Sequence, residues 1–169
     1  MNVRKIYFDM DGVLADFDRG VSELCGLPQI RQDETTGKDL DDKMWRRIRD
    51  IPHFYDMLEI MPGAKELFDA VYNRYGERTE ILTGIPKPKR GILTADEDKE
   101  TWMKRMLSDR ITVNIVFKEE KPQYCKGKDC FLIDDLDKNI AAWEQMGGTG
   151  ILFQSAQETM NRLKEMGVL

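Results

Sequence analysis

Residues 6–14 read IYFDMDGVL, and this stretch sets both the fold class and the site that we predict. It opens with a short apolar run that is typical of a strand buried in a parallel sheet. Asp9 and Asp11 follow, so their carboxylates point to the same side if the strand direction continues. Gly12 then permits a turn that brings backbone N–H groups close to a bound anion. Because parallel sheets bind ligands at the carboxyl ends of their strands, we expect a ligand site here.

Further apolar runs of the same kind recur along the chain and alternate with helical patterns. They comprise residues 80–82, 113–117, 131–133 and 151–153. Each run is short and is bounded by turn or charged residues, as strands covered on both faces are. We therefore predict an α/β fold, a Rossmann-like three-layer arrangement around a central parallel sheet of about five strands.

Several helix starts are predicted by side chains that can cap free backbone N–H groups. Thr94 with Glu97, and Ser155 with Glu158, have the spacing of a capping box. Asp137 is a candidate N-cap of another helix. The apolar residues that follow each of these positions recur at helical spacing, which predicts that the helices pack against the sheet.

The segment of residues 17–60, called the insertion below, interrupts this alternation of strands and helices. Residues 29–43 are polar, residues 33–37 have the composition of a loop, and helical patterns lie on both sides. We predict a core domain made of residues 1–16 and 61–169, with residues 17–60 as a small helical cap inserted after the first strand.

The composition indicates a globular chain with a mild negative charge. Of 169 residues, 41% are hydrophobic, and 26 basic against 31 acidic side chains give a net charge of −5. This charge argues against a nucleic-acid polymer as partner, since such proteins present a basic stripe. No run approaches the roughly 20 apolar residues of a membrane span, and the first residues lack a signal-peptide pattern. Three cysteines without zinc-type spacing favour a reducing compartment, so we expect a cytoplasmic protein. The expected assembly is a monomer or a homodimer.

Other predicted strands end in residues that suit a phosphate or a metal ion. Thr83 and Gly84 offer a hydroxyl and an uncrowded amide, and Lys121 is a cation beside a proline. Asp134 and Asp135 are adjacent carboxylates, which repel each other unless a cation neutralises them. Each residue alone is common in turns or on surfaces. Their order along the chain nevertheless predicts one shared phosphate site.

In this order the motifs resemble those of the haloacid dehalogenase-like phosphohydrolases, which have Asp-x-Asp-Gly-[Val/Thr], then Ser/Thr, then Lys, then an acidic pair. The resemblance covers nearly the whole chain. Residues 9–17 (DMDGVLADF), 54–55 (FY) and 58–64 (LEIMPGA), together with Trp102, are more narrowly similar to the 5′(3′)-deoxyribonucleotidases. This similarity implies a Mg²⁺-dependent phosphomonoester hydrolase whose small-molecule substrate is a nucleoside monophosphate.

The resemblance also implies a role for each motif residue. Asp9 is the implied nucleophile, which forms an aspartyl-phosphate, and Asp11 is the implied general acid and base. The implied magnesium ligands are Asp9, the Asp11 carbonyl, Asp134 and Asp135. The implied phosphate-binding residues are Thr83, Gly84, Lys121 and, in a reshaped loop, Lys87.

Four aromatic residues of the insertion are candidates to line the substrate pocket, and packing of the insertion on the core is their alternative role. They are Phe17, Trp45, Phe54 and Tyr55. His53, the only histidine of the chain, is interpreted as an ordinary loop or cap residue.

Three departures from the deoxyribonucleotidase pattern leave the substrate open. Gly84 stands where these nucleotidases have a serine, and Glu119 and Leu136 stand at positions where the same family has arginines. Another small phosphomonoester, such as a sugar phosphate, is therefore the alternative substrate. Two other protein classes are the alternatives: a phosphoacceptor receiver domain, which carries its phosphorylated aspartate on a middle strand, and a nucleotide-binding pseudo-enzyme.

Overall fold

The computed structural model describes residues 2–28 and 38–169. Five strands run through these residues: β1 (Lys5–Phe8), β2 (Thr79–Gly84), β3 (Thr112–Val116), β4 (Cys130–Asp134) and β5 (Thr149–Leu152). The helices are α1 (Phe17–Cys25), α2 (Lys38–Asp50), α3 (Ala64–Tyr75), α4 (Ala95–Met106), α5 (Asp137–Gln145) and α6 (Ala156–Glu165). Short 3₁₀ helices span Phe54–Met57, Gly76–Arg78, Pro88–Arg90 and Lys118–Tyr124. None of the helices described is long and apolar enough to cross a membrane.

The strands form one parallel sheet in the order β3-β2-β1-β4-β5, which confirms the predicted α/β architecture. The first strand is central, with Phe8 paired with Ile81 on one side and with Ile133 on the other. The carboxyl ends of β1 and β4 therefore lie side by side, and the residues that follow them are neighbours.

The core packs on both faces of the sheet, because successive strand side chains point to opposite faces. Ile6 and Phe8 join the larger apolar cluster, to which α1, α3, α4 and α6 also contribute. Tyr7 lies in the smaller cluster, with Ile140 and Trp143 of α5. The sheet is thus the middle of three layers, as the continuous apolar runs predict.

The helix starts agree only in part with the predicted caps. The Ser155 hydroxyl accepts a hydrogen bond from the N–H three residues later, as expected. The capping predicted for Thr94 is wrong: its side chain accepts no hydrogen bond from the first turn of α4, and its hydroxyl instead donates to a carboxylate oxygen of Asp98 at 2.7 Å. Asp137 is the first residue of α5, and Leu136 occupies the N-cap position.

The insertion contains α1 and α2, which lie where the sequence predicts helical patterns. The Asp16 carboxylate caps α1 by accepting a hydrogen bond from the Arg19 N–H at 3.2 Å. Residues 38–43, which the sequence predicts as part of a polar connection, form the first turns of α2. The loop predicted at residues 33–37 lies outside the described residues.

Candidate active site

Three carboxylates meet at the carboxyl edge of the sheet. Asp9 directly follows β1, Asp134 ends β4, and Asp135 is the next residue. The Asp9 N–H donates to the Ile133 carbonyl at 2.9 Å, which extends the pairing of the two strands to the site. One oxygen atom from each of the three carboxylates lies within 4.8 Å of those of the other two. The chain therefore concentrates negative charge at one point, although these residues are far apart in sequence.

Lys121 is buried between two of these acids. It belongs to the 3₁₀ helix Lys118–Tyr124, which follows β3. Its Nζ lies 2.9 Å from Asp9 Oδ1 and 2.7 Å from Asp134 Oδ2. Burial by itself would lower the pKa of Lys121, but the charges of Asp9 and Asp134 outweigh it and raise that pKa above its usual value. The lysine is thus held as a cation beside Asp9.

The two acids of the late pair have different surroundings. Both oxygens of Asp134 already accept hydrogen bonds, from the Asn139 side chain at 3.0 Å, from Lys121, and from the Leu136 N–H at 2.9 Å. Asp135 Oδ1, in contrast, is buried without a hydrogen-bond partner among the described residues. Asp135 is therefore the member of the pair with an oxygen to offer to a cation.

The acids are costly to ionise together unless a cation binds them. Burial raises the pKa of Asp9 to about 6; Lys121 opposes the rise, and Asp134 and Asp11 add to it. Burial, followed by the charges of Asp9 and Asp134, raises the pKa of Asp135 to about 9. A divalent cation would remove this repulsion, and carboxylate oxygens are the ligands that Mg²⁺ prefers. The donor set and the unpartnered oxygen of Asp135 thus fit the predicted magnesium ion.

Gly12 lets the first motif approach this cluster. Its φ is +79°, and a Cβ atom built on it would lie 2.1 Å from Asp135 Oδ2. A larger residue would therefore collide with the carboxylate that faces the proposed ion.

Asp11 and Thr83 meet at a residue that the sequence interpretation missed. Lys99 of α4 is fully buried, and its Nζ lies 2.6 Å from Asp11 Oδ2 and 3.1 Å from Thr83 Oγ1. It also lies 2.6 Å from the carbonyl oxygen of Gly84. The sequence feature that could have identified Lys99 is its position on the same helix face as Trp102 and Met103, where a charged residue interrupts an apolar stripe.

A cavity of about 380 Å³ opens between the insertion and the core. Asp9, Lys121 and Gly84 line it from the core, and Trp45 and Tyr55 line it from the insertion. Its lining contains five basic side chains and three acidic ones, a balance that suits an anionic ligand.

Arg90 joins the insertion to the loop after β2. Its guanidinium donates to Asp41 at 2.8 Å and to Asp42 at 2.6 Å, both on α2. It also lies 5.7 Å from the ring centre of Trp45. This contact holds α2 beside the cavity.

The other candidate residues are placed differently. Lys87 lines the cavity but is largely exposed, with its amine 3.6 Å from Glu119. Phe17 and Phe54 are buried and pack on each other with ring centres 5.8 Å apart. Neither phenylalanine is among the described residues that line the cavity, so they follow the alternative prediction of packing. His53 lies 2.7 Å from Asp98 Oδ1.

Comparison with known families gives one match over most of the chain. The model of the family described as 5′ nucleotidase, deoxy (pyrimidine), cytosolic type C protein matches residues 2–163. A comparison with curated proteins gives no significant match.

Solved structures share the fold at low sequence identity. A haloacid dehalogenase family hydrolase from Deinococcus radiodurans R1, with bound phosphate and sodium, has a TM-score of 0.58 and 17% identity, over 99% of this chain and 97% of its own. A hydrolase from Streptococcus pneumoniae TIGR4 has a TM-score of 0.54 and 14% identity, over 97% and 100%. YfnB of Bacillus subtilis, a haloacid dehalogenase-type hydrolase bound to magnesium, has a TM-score of 0.51 and 11% identity, over 96% and 99%.

Proposed function

Because this chain belongs to the family of 5′ nucleotidase, deoxy (pyrimidine), cytosolic type C proteins, we propose that it hydrolyses nucleoside monophosphates through an aspartyl-phosphate on Asp9. Membership of this family makes the chain a phosphoric monoester hydrolase of the haloacid dehalogenase-like superfamily. One observation carries the proposed mechanism: the oxygens of Asp9, Asp134 and Asp135 converge within 4.8 Å, beside the buried Lys121.

The proposed cofactor is Mg²⁺, held by Asp9, the backbone carbonyl of Asp11 and Asp135. Asp134 completes the acidic cluster but already binds Lys121 and Asn139, so its proposed part is to position these side chains. Bound Mg²⁺ supplies positive charge that shields Asp9 from the approaching phosphate.

The proposed reaction has two steps. A carboxylate oxygen of Asp9 attacks phosphorus, the bond from phosphorus to the leaving oxygen breaks, and that oxygen takes a proton from Asp11. Asp11 then removes a proton from water, which attacks the aspartyl-phosphate and releases inorganic phosphate. The free oxygen of Asp11, which has no hydrogen-bond partner in the described part of the chain, suits this transfer.

Charge on the transferred phosphoryl group is spread over its outer oxygens. Lys121 contacts Asp9 directly, and the Thr83 hydroxyl and the Gly84 N–H lie at the end of the neighbouring strand, β2. We assign these groups to the phosphate oxygens, where fixed donors stabilise the transition state. Lys87 lines the same cavity, and its assigned role is to attract the phosphate group as the substrate enters.

The insertion is assigned as the cap that covers the substrate. Trp45 and Tyr55 line the cavity and offer aromatic surfaces to a nucleobase. Closure of a cap over such a cavity excludes water and selects the leaving group. A nucleoside monophosphate in the cytoplasm is the small-molecule substrate that this assignment implies.

The proposal is tested by the Asp9→Asn variant. We expect phosphate release from p-nitrophenyl phosphate and from a panel of nucleoside and sugar monophosphates to require Mg²⁺ in the wild type. Since the amide cannot act as nucleophile, kcat of the variant should fall by about 10⁴-fold or more. Phosphate release by coupled colorimetric assay, with Mg²⁺ and with a chelator, measures both effects.

Asp50→Asn is the matched control, because Asp50 is exposed at the end of α2, where it contacts Arg49 at 3.6 Å. It should keep wild-type turnover. Normal turnover by Asp9→Asn would refute the mechanism, whereas activity confined to sugar phosphates would refute only the nucleotide assignment.

A further inference from the structure

Lys99 is a buried cation to which the proposed reaction assigns no part. Its side chain is fully buried on the face of α4 that also carries Trp102 and Met103. Lysine is almost never fully buried unless its charge is paired, because its ammonium loses hydration. The contacts of the Lys99 amine therefore account for its place in the core.

The Lys99 ammonium has three N–H donors, and three acceptors surround it. These are Asp11 Oδ2 at 2.6 Å, the Gly84 carbonyl at 2.6 Å and Thr83 Oγ1 at 3.1 Å. The ring of Tyr55 covers the amine, with its centre 4.5 Å from Nζ. No donor remains for a phosphate oxygen, so Lys99 differs from Lys121 in acting through other side chains.

Two of these acceptors belong to the end of β2, which is paired with the strand before Asp11. The sheet therefore holds Thr83 and Gly84 in place, and the Asp11 carboxyl is the one of the three acceptors that can rotate. Lys99 binds one of its oxygens, Oδ2. The other, Oδ1, is buried and has no hydrogen-bond partner within residues 2–28 and 38–169. The contact thus leaves one oxygen of Asp11 free in a single orientation.

We propose that Lys99 is a positioning residue that anchors the Asp11 carboxyl to the end of β2, so that its free oxygen faces the leaving group. This inference rests on the proposed function, in which Asp11 gives its proton to the leaving oxygen as the bond to phosphorus breaks. Misplacement of a general acid slows only those reactions whose leaving group needs a proton.

A leaving-group series separates this role from a structural one. The probes are aryl phosphates whose phenols differ in pKa, from p-nitrophenyl phosphate to phenyl phosphate, together with one alkyl phosphate. A p-nitrophenolate ion is stable enough to leave without a proton, whereas an alkoxide must receive a proton as it leaves. The constant kcat/KM reports the steps up to loss of the leaving group, so it isolates the transfer from Asp11.

We expect Lys99→Met to lower kcat/KM for the alkyl phosphate by about 10- to 100-fold, with a change of less than about threefold for p-nitrophenyl phosphate. The plot of log kcat/KM against the pKa of the leaving group should become steeper. Lys104→Met is the matched control, since Lys104 lies on the same helix, is half exposed and pairs with Glu100. It should leave both constants unchanged. An equal loss for all substrates in Lys99→Met would overturn the inference.

The Lys99→Met, Asp11→Asn double variant covers the case in which the single variant does not fold, because it removes both charges of the buried pair. If Lys99 acts through Asp11, the double variant should hydrolyse the alkyl phosphate within about twofold of Asp11→Asn alone. A further loss of tenfold or more would refute the inference. Failure of the proposed function is distinguishable, because Asp9→Asn would then keep its activity.

Discussion

Buried charge explains the arrangement of the site at the scale of single residues. Asp9, Asp134 and Lys121 have little contact with water, and Lys121 offsets part of the cost of burying the two acids, as they do for Lys121. Burial, followed by the charges of Asp9 and Asp134, raises the pKa of Asp135 to about 9. With three acids and one lysine, the cluster favours binding of a divalent cation, and this excess of negative charge links the electrostatics of the chain to its proposed chemistry.

The close approach of Gly12 to Asp135 gives a first prediction. Gly12→Ala should lower Mg²⁺-dependent kcat/KM by about 10- to 100-fold, because the new methyl group would displace the Asp135 carboxylate. Magnesium titration of p-nitrophenyl phosphate hydrolysis measures the effect, which should include a weaker apparent affinity for the ion.

Gly147→Ala is the control for backbone strain. Gly147 has a φ of +82°, close to the +79° of Gly12, and a Cβ there would meet nothing within 4 Å. The control should lose roughly 1 kcal/mol of stability and keep its activity. Equal losses of activity in the two variants would show that strain, rather than contact with Asp135, is the cause.

At the scale of elements, α4 connects the insertion to the acids. Its first turns carry Asp98 and Lys99, one of which binds His53 of the insertion while the other binds Asp11. The 3₁₀ helix Phe54–Met57 packs directly on α4, and Trp102 donates a 2.7 Å hydrogen bond to the Leu58 carbonyl. One helix thus supports both the insertion and the proposed general acid.

The contact between His53 and Asp98 makes the stability of this connection depend on pH. The hydrogen bond and the charge of Asp98 raise the pKa of His53 above its ordinary 6.5. A raised folded-state pKa means that the contact stabilises fully below the unfolded pKa and is lost as pH rises through the folded one. The difference in unfolding free energy between wild type and His53→Asn should therefore be largest at about pH 6 and become smaller as the pH rises towards about 9.

Asparagine suits this test because it tolerates the left-handed backbone of His53, whose φ is 55°. Urea unfolding at several pH values measures the difference. Parallel pH profiles for the two proteins would contradict the prediction.

At the scale of the whole molecule, α6 belongs to the core but lies away from the site. Leu163 of α6 is fully buried in the larger apolar cluster, and α6 contributes no side chain to the cavity or to the acidic cluster. Leu163→Ala should therefore lower the free energy of unfolding by about 2–5 kcal/mol and leave kcat and KM of the folded protein unchanged.

The neighbouring exposed residue provides the comparison for this variant. Lys164→Ala should change the free energy of unfolding by less than about 0.5 kcal/mol. Denaturant unfolding, with turnover measured well below the transition, checks both variants. A loss of turnover in Leu163→Ala under those conditions would show that the site depends on the packing of α6.

The local pattern of residues 6–14 and of the other apolar runs was enough to predict the parallel sheet and the placement of Asp9, Asp134 and Lys121 together. Strand periodicity and the common direction of parallel strands are local properties, and they bring strand ends to one edge. The expected family is confirmed by the match over residues 2–163.

The partners of individual side chains required the assembled fold. Lys99 and Asp11 are 88 positions apart, and no local pattern specifies that a lysine on an apolar helix face will reach this carboxylate. The different surroundings of Asp134 and Asp135, and the burial of Phe17 and Phe54 away from the cavity, likewise depend on packing between distant elements. Backbone periodicity is set by near neighbours in the chain, whereas side-chain contacts are set by which surfaces meet after folding.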